Sequence, residues 1–171
     1  MIAILAIFGG TFEYDSVEDY GEKWDGTEPD FIPDTVEGYN VNQYSYILYS
    51  YLDTCYEILL DVTVSEEQLS EILSKYGEGN ESVTIKDAWY CEGYIEIVFE
   101  DEYQRYIRET GEEAVGWATI DKIIYNPATL NVIFVSLHAH DTGVHDLEKV
   151  EYFNRFSINT EEYVEHLPKG E

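Results

Sequence analysis

The chain has 171 residues, 44% of them hydrophobic, and its 36 acidic and 9 basic residues give a formal net charge of −27. This length suits a single domain whose core needs no disulfide or metal, and the hydrophobic fraction is that of a globular protein rather than a disordered one. The charge argues against direct binding to nucleic acid and against anionic membrane surfaces, because both require lysine and arginine. We therefore expect either a protein partner, which a charge of this sign would favour if basic, or a small neutral ligand.

Two features of the composition each have two interpretations. The sixteen tyrosines suit half-buried packing in a sheet, but they also suit an aromatic contact surface for protein or sugar. The acidity suits either a basic partner or adaptation to high salt.

The N-terminal segment, residues 1–10, begins with the apolar run MIAILAIF and ends in Gly9-Gly10. The run is too short to span a bilayer, and no basic residue precedes it as in an export signal. It is either a buried strand or the trailing end of an export signal or membrane anchor, and the second interpretation would place the protein outside the cytoplasm, in a cell envelope. No transmembrane span is predicted, and residues 11–171 are expected to form a single acidic α+β domain.

Residues 11–40 are acidic and rich in turn-forming residues. We expect a short helix near Ser16 to Trp24, followed by an extended segment held by its aromatic side chains. Asp25 to Asp30 is rich in carboxylates but does not fit the calcium-loop pattern, so a solvated loop is the better interpretation.

Two strand-like runs, Tyr44 to Leu52 and Tyr56 to Val64, are separated by Asp53-Thr54, which predicts a hairpin. The first run is apolar on both faces, as an interior strand would be. The second alternates with the period of two that is typical of a strand with one buried and one solvated face. The predicted buried face holds Tyr56, Ile58, Leu60, Val62 and Val64, and the predicted solvated face holds Cys55, Glu57, Leu59, Asp61 and Thr63.

The clearest helix in the sequence follows, over residues 66–76. Ser65 is the predicted N-cap, Gln68 would complete a capping box, and two glutamates lie at the positive end of the helix dipole. The predicted buried stripe, at i, i+3, i+4 and i+7 spacing, is Leu69, Ile72, Leu73 and Tyr76. Gly77 is the predicted end of the helix.

Four more strands are predicted, over Val83 to Tyr90, Gly93 to Glu100, Trp117 to Tyr125 and Leu130 to His138. The last two form a hairpin around Pro127, and the final strand, apolar on both faces, belongs in the centre of the sheet. Residues 101–115 are expected to be a surface excursion, 150–158 a last strand and 160–166 a closing helix. The predicted fold class is α+β: a mostly antiparallel sheet of about six to seven strands packed on the main helix, with short accessory helices and the negative charge outside.

One group of residues has the composition of a metal site. His138, His140, Asp141 and His145 fall at the end of a strong strand, and three nitrogen or oxygen ligands with an open position would suit a catalytic divalent metal. The segment resembles the HxHxDH motif of metallo-β-lactamase-type hydrolases, but it departs from that motif because Asp141 directly follows the second histidine. The alternatives are a polar loop with hydrogen-bonded histidines and a charge switch near neutral pH. No other cofactor is predicted.

The two cysteines, Cys55 and Cys91, show no CxxC spacing. On neighbouring strands they could form one disulfide if the chain is exported; otherwise they are two unrelated small core residues.

Three segments in order carry a resemblance: the aromatic strand Tyr44 to Tyr49, the helix segment Val64 to Tyr76 and the hairpin Ala118 to Val135. They resemble a group of small, uncharacterised bacterial lipoprotein-like domains in which an aromatic strand, a helix and a later hairpin follow in the same order. The resemblance implies an α+β fold and an envelope location, and it brings no activity and no catalytic residue.

These observations favour binding over catalysis, since no glycine-rich phosphate loop, GxSxG elbow or recognisable Cys-His pairing is present. The first hypothesis is a non-catalytic binding domain, on the outer side of a bacterial membrane, that uses an aromatic and acidic surface. The second is an acidic inhibitor or immunity protein, or a mimic of nucleic acid, which acts on a basic partner. The third is a metal-dependent hydrolase that uses His138, His140 and His145.

Overall fold

The computed structural model of the protein describes residues 10–21, 29–50, 54–77, 84–87, 93–101 and 118–139. In chain order, these ranges contain β1 (Gly10–Tyr14), a 3₁₀ helix (Val17–Asp19), β2 (Asn40–Ser50), β3 (Thr54–Thr63), α1 (Glu66–Tyr76), β4 (Thr84–Asp87), β5 (Ile95–Asp101), β6 (Ala118–Asn126) and β7 (Asn131–Ala139). The predicted α+β class with one main helix is confirmed.

The strands form one antiparallel sheet in the order β1-β2-β3-β7-β6-β5-β4. The predicted hairpins β2–β3 and β6–β7 are both present, and β7 lies between β3 and β6. This central position was expected because the strand is apolar on both faces, as a strand covered on both sides must be. Pairing of β7 with β3 joins the two hairpins into one sheet.

The turns and one short helix differ from the prediction. Thr54 already pairs with Ser50, so Thr54 belongs to β3 and not to the turn predicted at Asp53-Thr54. Of the predicted helix from Ser16 to Trp24, residues 16–21 are described. They contain a 3₁₀ helix of three residues, followed by Gly21 in the left-handed conformation at φ 74°. That backbone conformation cannot continue a right-handed helix.

The helix α1 matches the sequence prediction at both ends. Gln68 N–H donates to Ser65 Oγ (3.1 Å), and Ser65 N–H donates to Gln68 Oε1 (2.8 Å), which is a complete capping box. At the other end, Gly77 N–H donates to Leu73 O (2.7 Å). A Cβ at Gly77 would lie 2.7 Å from the same oxygen, which explains the glycine.

One face of the sheet packs against α1 and residues 29–39. The predicted buried stripes are confirmed at Ile58, Leu60, Val62 and Val64 of the β3 stripe and at Leu69 and Ile72 of α1. Their other members, Tyr56, Leu73 and Tyr76, are half-buried and pack against this core. The other buried members of this core are Phe31, Ile32, Tyr44, Tyr46, Ile97, Ile123, Tyr125, Val132 and Phe134.

The other face of the sheet is also buried, so the predicted solvated face of β3 is wrong. Glu57 and Leu59 are 0% exposed and Asp61 is 1% exposed. On the same face, the partner strand β7 places Leu137, Val135 and Ile133 opposite these three residues, and all of these are 0% exposed. Charge at alternate positions therefore does not mark a solvated face in this sheet.

Two acids on this second face, Asp61 and Glu96, are held by specific partners. Asp61 Oδ1 accepts hydrogen bonds from the side-chain amides of Asn131 (2.5 Å) and Asn42 (2.9 Å). Lys122 Nζ lies 3.5 Å from Glu96 Oε1, and the two side chains are 1% and 7% exposed. A charge can be buried when an opposite charge or hydrogen bonds compensate its lost hydration. The expectation that the negative charge stays outside is therefore wrong for these residues.

Some predictions fall outside the described residues: the segment 1–9, the excursion 102–115, the last strand at 150–158 and the closing helix at 160–166. Neither helix in the described part of the chain has the length and apolar character of a membrane-crossing helix.

Lys122→Met should lower the free energy of unfolding by about 3 kcal/mol, because Glu96 would stay buried without the cation placed against it. Adding Glu96→Leu should recover most of this loss, since a buried ion pair can be replaced by apolar side chains at little cost. Urea denaturation of the two single variants and the double variant measures both effects.

The control for this cycle is Lys75→Met, which removes an exposed lysine that makes a cation–π contact in the last turn of α1 and should lower the free energy of unfolding by at most about 1 kcal/mol. The role given to the buried pair is contradicted if Lys122→Met costs no more than this control, or if the losses of the single variants simply add in the double variant.

Candidate functional site: an acidic and aromatic cleft beside the helix

A cleft of about 220 Å³ lies between the C-terminal part of α1 and the segment 30–39; we call it the helix cleft. Its lining residues are Asp30, Phe31, Ile32, Pro33, Asp34, Tyr39, Gln68, Glu71, Ile72, Lys75, Tyr76 and Phe134. The helix contributes positions spaced by three and four residues, which share one face of a helix. Buried Phe31, Ile72 and Phe134 form an apolar base, and polar residues surround it.

Hydrogen bonds to backbone carbonyls hold the two walls together. The Tyr76 hydroxyl donates to Asp30 O (3.0 Å), and Gln68 Nε2 donates to Gly38 O (3.1 Å). Gln68 thus caps α1 through its oxygen and fixes the opposite wall through its nitrogen. Farther along the same segment, the Tyr20 hydroxyl donates to Pro33 O (2.6 Å).

Aromatic contacts fix the same wall to the sheet. The rings of Phe31 and Phe99 stack with centroids 4.5 Å apart and planes 9° apart, and Tyr76 meets the Phe99 ring edge-on at 5.8 Å. Aromatic pairs at these distances add stability beyond the area that they bury. The cleft is therefore built on a packed scaffold rather than on a free loop.

Charged side chains surround the opening of the cleft. Asp30, Asp34 and Glu71 are exposed carboxylates, and Lys75 is an exposed ammonium that lies 4.7 Å from the centroid of the Tyr76 ring. A side-chain hydrogen bond to Tyr76 raises the pKa of Lys75, and the charges of Asp30 and Asp34 raise it further. The lysine therefore stays charged at neutral pH.

The pKa of the Tyr39 phenol is raised as well, but for a phenol a raised pKa favours the neutral form. Partial burial raises its pKa, and the charge of Glu71 raises it further, so the ionised form is disfavoured. Tyr39 therefore stays a neutral hydroxyl that can donate or accept a hydrogen bond. Carboxylates and electron-rich rings around one small cleft are the groups that bind an ammonium or a guanidinium.

A second hollow, of about 690 Å³, lies on another side of α1, against the β6–β7 turn. Its lining is mainly apolar and hydroxylic: Leu69, Ser70, Leu73, Ser74, Gly77, Tyr125, Pro127 and Leu130, with Glu66. This composition offers a ligand less specific chemistry than the helix cleft does.

Only part of the predicted metal site lies among the described residues. His138 is on β7, and its half-buried ring stacks on Tyr56 with centroids 5.8 Å apart. His140, Asp141 and His145 lie outside the described ranges, within which no three His, Cys, Asp or Glu side chains are grouped as metal ligands. The metal site thus remains a prediction.

The disulfide between Cys55 and Cys91 also remains a prediction. Cys55 lies in β3, where its backbone is opposite Tyr49 of β2, and Cys91 is outside the described residues.

Near His138, a serine and an aspartate form a polar pair. Ser136 Oγ donates to Asp121 Oδ1 (2.7 Å). Burial raises the pKa of Asp121 to about 6; the hydrogen bond from Ser136 opposes the rise and the charge of Glu100 adds to it. The serine hydroxyl is thus engaged with a carboxylate.

Sequence reasoning missed the helix cleft because its residues come from separate segments. Asp30 belongs to a stretch interpreted as a solvated loop, and Tyr76 was assigned only to the buried stripe of the helix. The available signal was the second face of α1, where Gln68, Glu71 and Lys75 follow one another at i, i+3 and i+7. That pattern does not predict which segment forms the opposite wall of the cleft.

No known protein family, curated protein or solved structure matches this chain.

Asp121→Asn should flatten the pH dependence of the free energy of unfolding between about pH 4 and about pH 7. In the native protein this carboxyl keeps its proton up to a pH of about 6, whereas its ordinary pKa is 3.8. Between these values the folded state binds more protons than the unfolded state, so the group's stabilising contribution is present in acid and is lost as the pH rises through about 6. The asparagine side chain does not titrate in this pH range, and its amide oxygen can still accept the hydrogen bond from Ser136 Oγ.

Urea denaturation at several pH values checks this expectation, with the exposed Asp15→Asn as a control of the same chemistry. The role given to Asp121 would be contradicted if the free energies of unfolding of wild type and Asp121→Asn differed by the same amount at every pH.

Proposed function

We propose that the protein is a non-catalytic binding domain that takes a cationic side chain of a basic partner protein into the helix cleft. The observation that carries the proposal is the arrangement of Asp30, Asp34 and Glu71 around a cleft with Tyr39 and Tyr76 in its lining. A cation there meets carboxylates and the faces of aromatic rings at once, which are the two strongest kinds of partner for it.

The size of the cleft supports a side chain rather than a larger ligand. Pockets for drug-sized molecules usually have about 300–1,000 Å³, whereas this one has about 220 Å³. Its depth is limited by the buried rings of Phe31 and Phe134. One long side chain, anchored at its charged end, fits this geometry, and the rest of a partner would lie on the surrounding surface.

The net charge supports a basic partner. A charge of −27 attracts basic proteins over a distance and raises the association rate, most strongly at low ionic strength. This long-range attraction does not select a site. The local cleft would supply the selectivity, because it fixes carboxylates and rings in one place.

The hypothesis of an acidic inhibitor or immunity protein shares this partner class and would use the same cleft. Mimicry of nucleic acid receives less support, because Glu57, Asp61 and Glu96 are buried and cannot present their charge at the surface. The metal-dependent hydrolase remains an alternative that depends on His140 and His145, which are outside the described residues.

Replacing two carboxylates of the cleft, in the variant Asp34→Asn/Glu71→Gln, should weaken binding of an oligoarginine peptide about tenfold. The control variant, Asp15→Asn/Glu18→Gln, removes the same charge from exposed positions outside the cleft lining. It should weaken binding no more than about twofold, since exposed and distant charges are screened.

Isothermal titration calorimetry at low and at physiological salt measures both effects, and circular dichroism checks that the variants fold. Equal weakening by the two variants would contradict the proposal, because it would mean that only net charge matters. Absence of binding by the folded wild-type protein would contradict it as well.

A further inference from the structure

We infer that the ammonium of Lys75 is an internal occupant of the helix cleft, which an incoming cation must displace, and that the preferred incoming group is the guanidinium of an arginine. The inference rests on the proposed function. It adds which side chain of the partner enters the cleft, and it identifies Lys75 as the residue that limits this entry.

The position of Lys75 is that of a bound cation. Its Nζ atom lies over the ring of Tyr76 at 4.7 Å from the centroid, within the range of a cation–π contact. It is one of only 9 basic residues in the chain, and it lines the same cleft as three carboxylates. The side chain thus makes one of the contacts that the proposed ligand would make, the cation–π contact with Tyr76.

This occupant is weakly held. Lys75 is exposed, and a cation–π contact at an exposed site is among the weaker interactions of a folded protein. The lysine side chain is long and flexible, so the ammonium can move into solvent without any change in the backbone of α1. A ligand with more contacts can therefore replace it.

The contacts of the incoming group distinguish the two basic side chains. A partner's lysine would exchange one ammonium for another on the Tyr76 ring and gain little. A guanidinium is planar, so it stacks on the ring and donates paired hydrogen bonds to a carboxylate, such as that of Asp34. Displacement of Lys75 costs both ligands the same free energy and lowers both affinities by the same factor, so the additional contacts of the guanidinium are what make arginine the preferred ligand.

Lys75 also has a simpler role, because a positive charge in the last turn of a helix stabilises the helix dipole. That role acts on the stability of the fold and not on the affinity for a ligand. Affinity measurements therefore separate the two.

The test compares wild type with Lys75→Met and Lys75→Arg, titrated with oligoarginine and oligolysine peptides of equal length. Methionine keeps an unbranched apolar stem and removes the ammonium. Lys75→Met should tighten the binding of both peptides about two- to fivefold, the strength of an exposed cation–π contact, and should leave the preference for oligoarginine unchanged. Lys75→Arg, which restores an internal cation, should weaken both peptides relative to Lys75→Met.

Thr129→Asp is the matched control, since it makes the net charge more negative by the same amount at an exposed turn outside the cleft lining. Equal tightening by Thr129→Asp and Lys75→Met would overturn the inference, and so would binding of oligolysine to wild type as tightly as oligoarginine. In either case the proposed function would stand if Asp34→Asn/Glu71→Gln still weakened binding. If neither peptide bound wild type or Lys75→Met, the proposed function itself would fail.

Discussion

The pairing of β3 with β7, from Tyr56 opposite His138 to Thr63 opposite Asn131, is the constraint on which the rest of the structure depends. It joins two hairpins that are local in sequence and places two strands with apolar residues on both faces in the middle of the sheet. Both faces must then be covered. On one of them α1 and residues 29–39 pack, and the helix cleft opens where these two elements meet.

The same pairing explains why the second face tolerates charge. Asp61 is opposite Ile133 and accepts a hydrogen bond from Asn131, the residue at the start of β7. The Tyr94 hydroxyl donates to Asn131 Oδ1 (2.7 Å), so the amide uses both its oxygen and its nitrogen. A buried carboxylate with such partners costs little relative to one without them, and it disfavours other registers in which the partners would be lost.

Much of the fold could be predicted from the sequence because its signals are local. The capping box of Ser65 and Gln68 lies within one helical turn, and the period of two in β3 identifies a strand without any knowledge of its neighbours. The residues that cover each face of the sheet come from distant parts of the sequence. Asp61 and Asn131 are 70 residues apart, so nothing within β3 reveals that its acidic positions are buried. The helix cleft was missed for the same reason, since Asp34 and Glu71 meet only through tertiary packing.

The charges of this protein therefore fall into two groups with different consequences. Glu57, Asp61 and Glu96 are buried in the sheet, and specific partners hold Asp61 and Glu96 there. Asp30, Asp34 and Glu71 are exposed around one cleft, in a chain whose net charge already disfavours the compact state through self-repulsion. Like charges held close together cost stability in the free protein, whereas in the proposed complex a cation would turn the same charges into a source of affinity. Such a conflict between stability and binding is typical of a functional site, because a surface that served stability alone would disperse its acids.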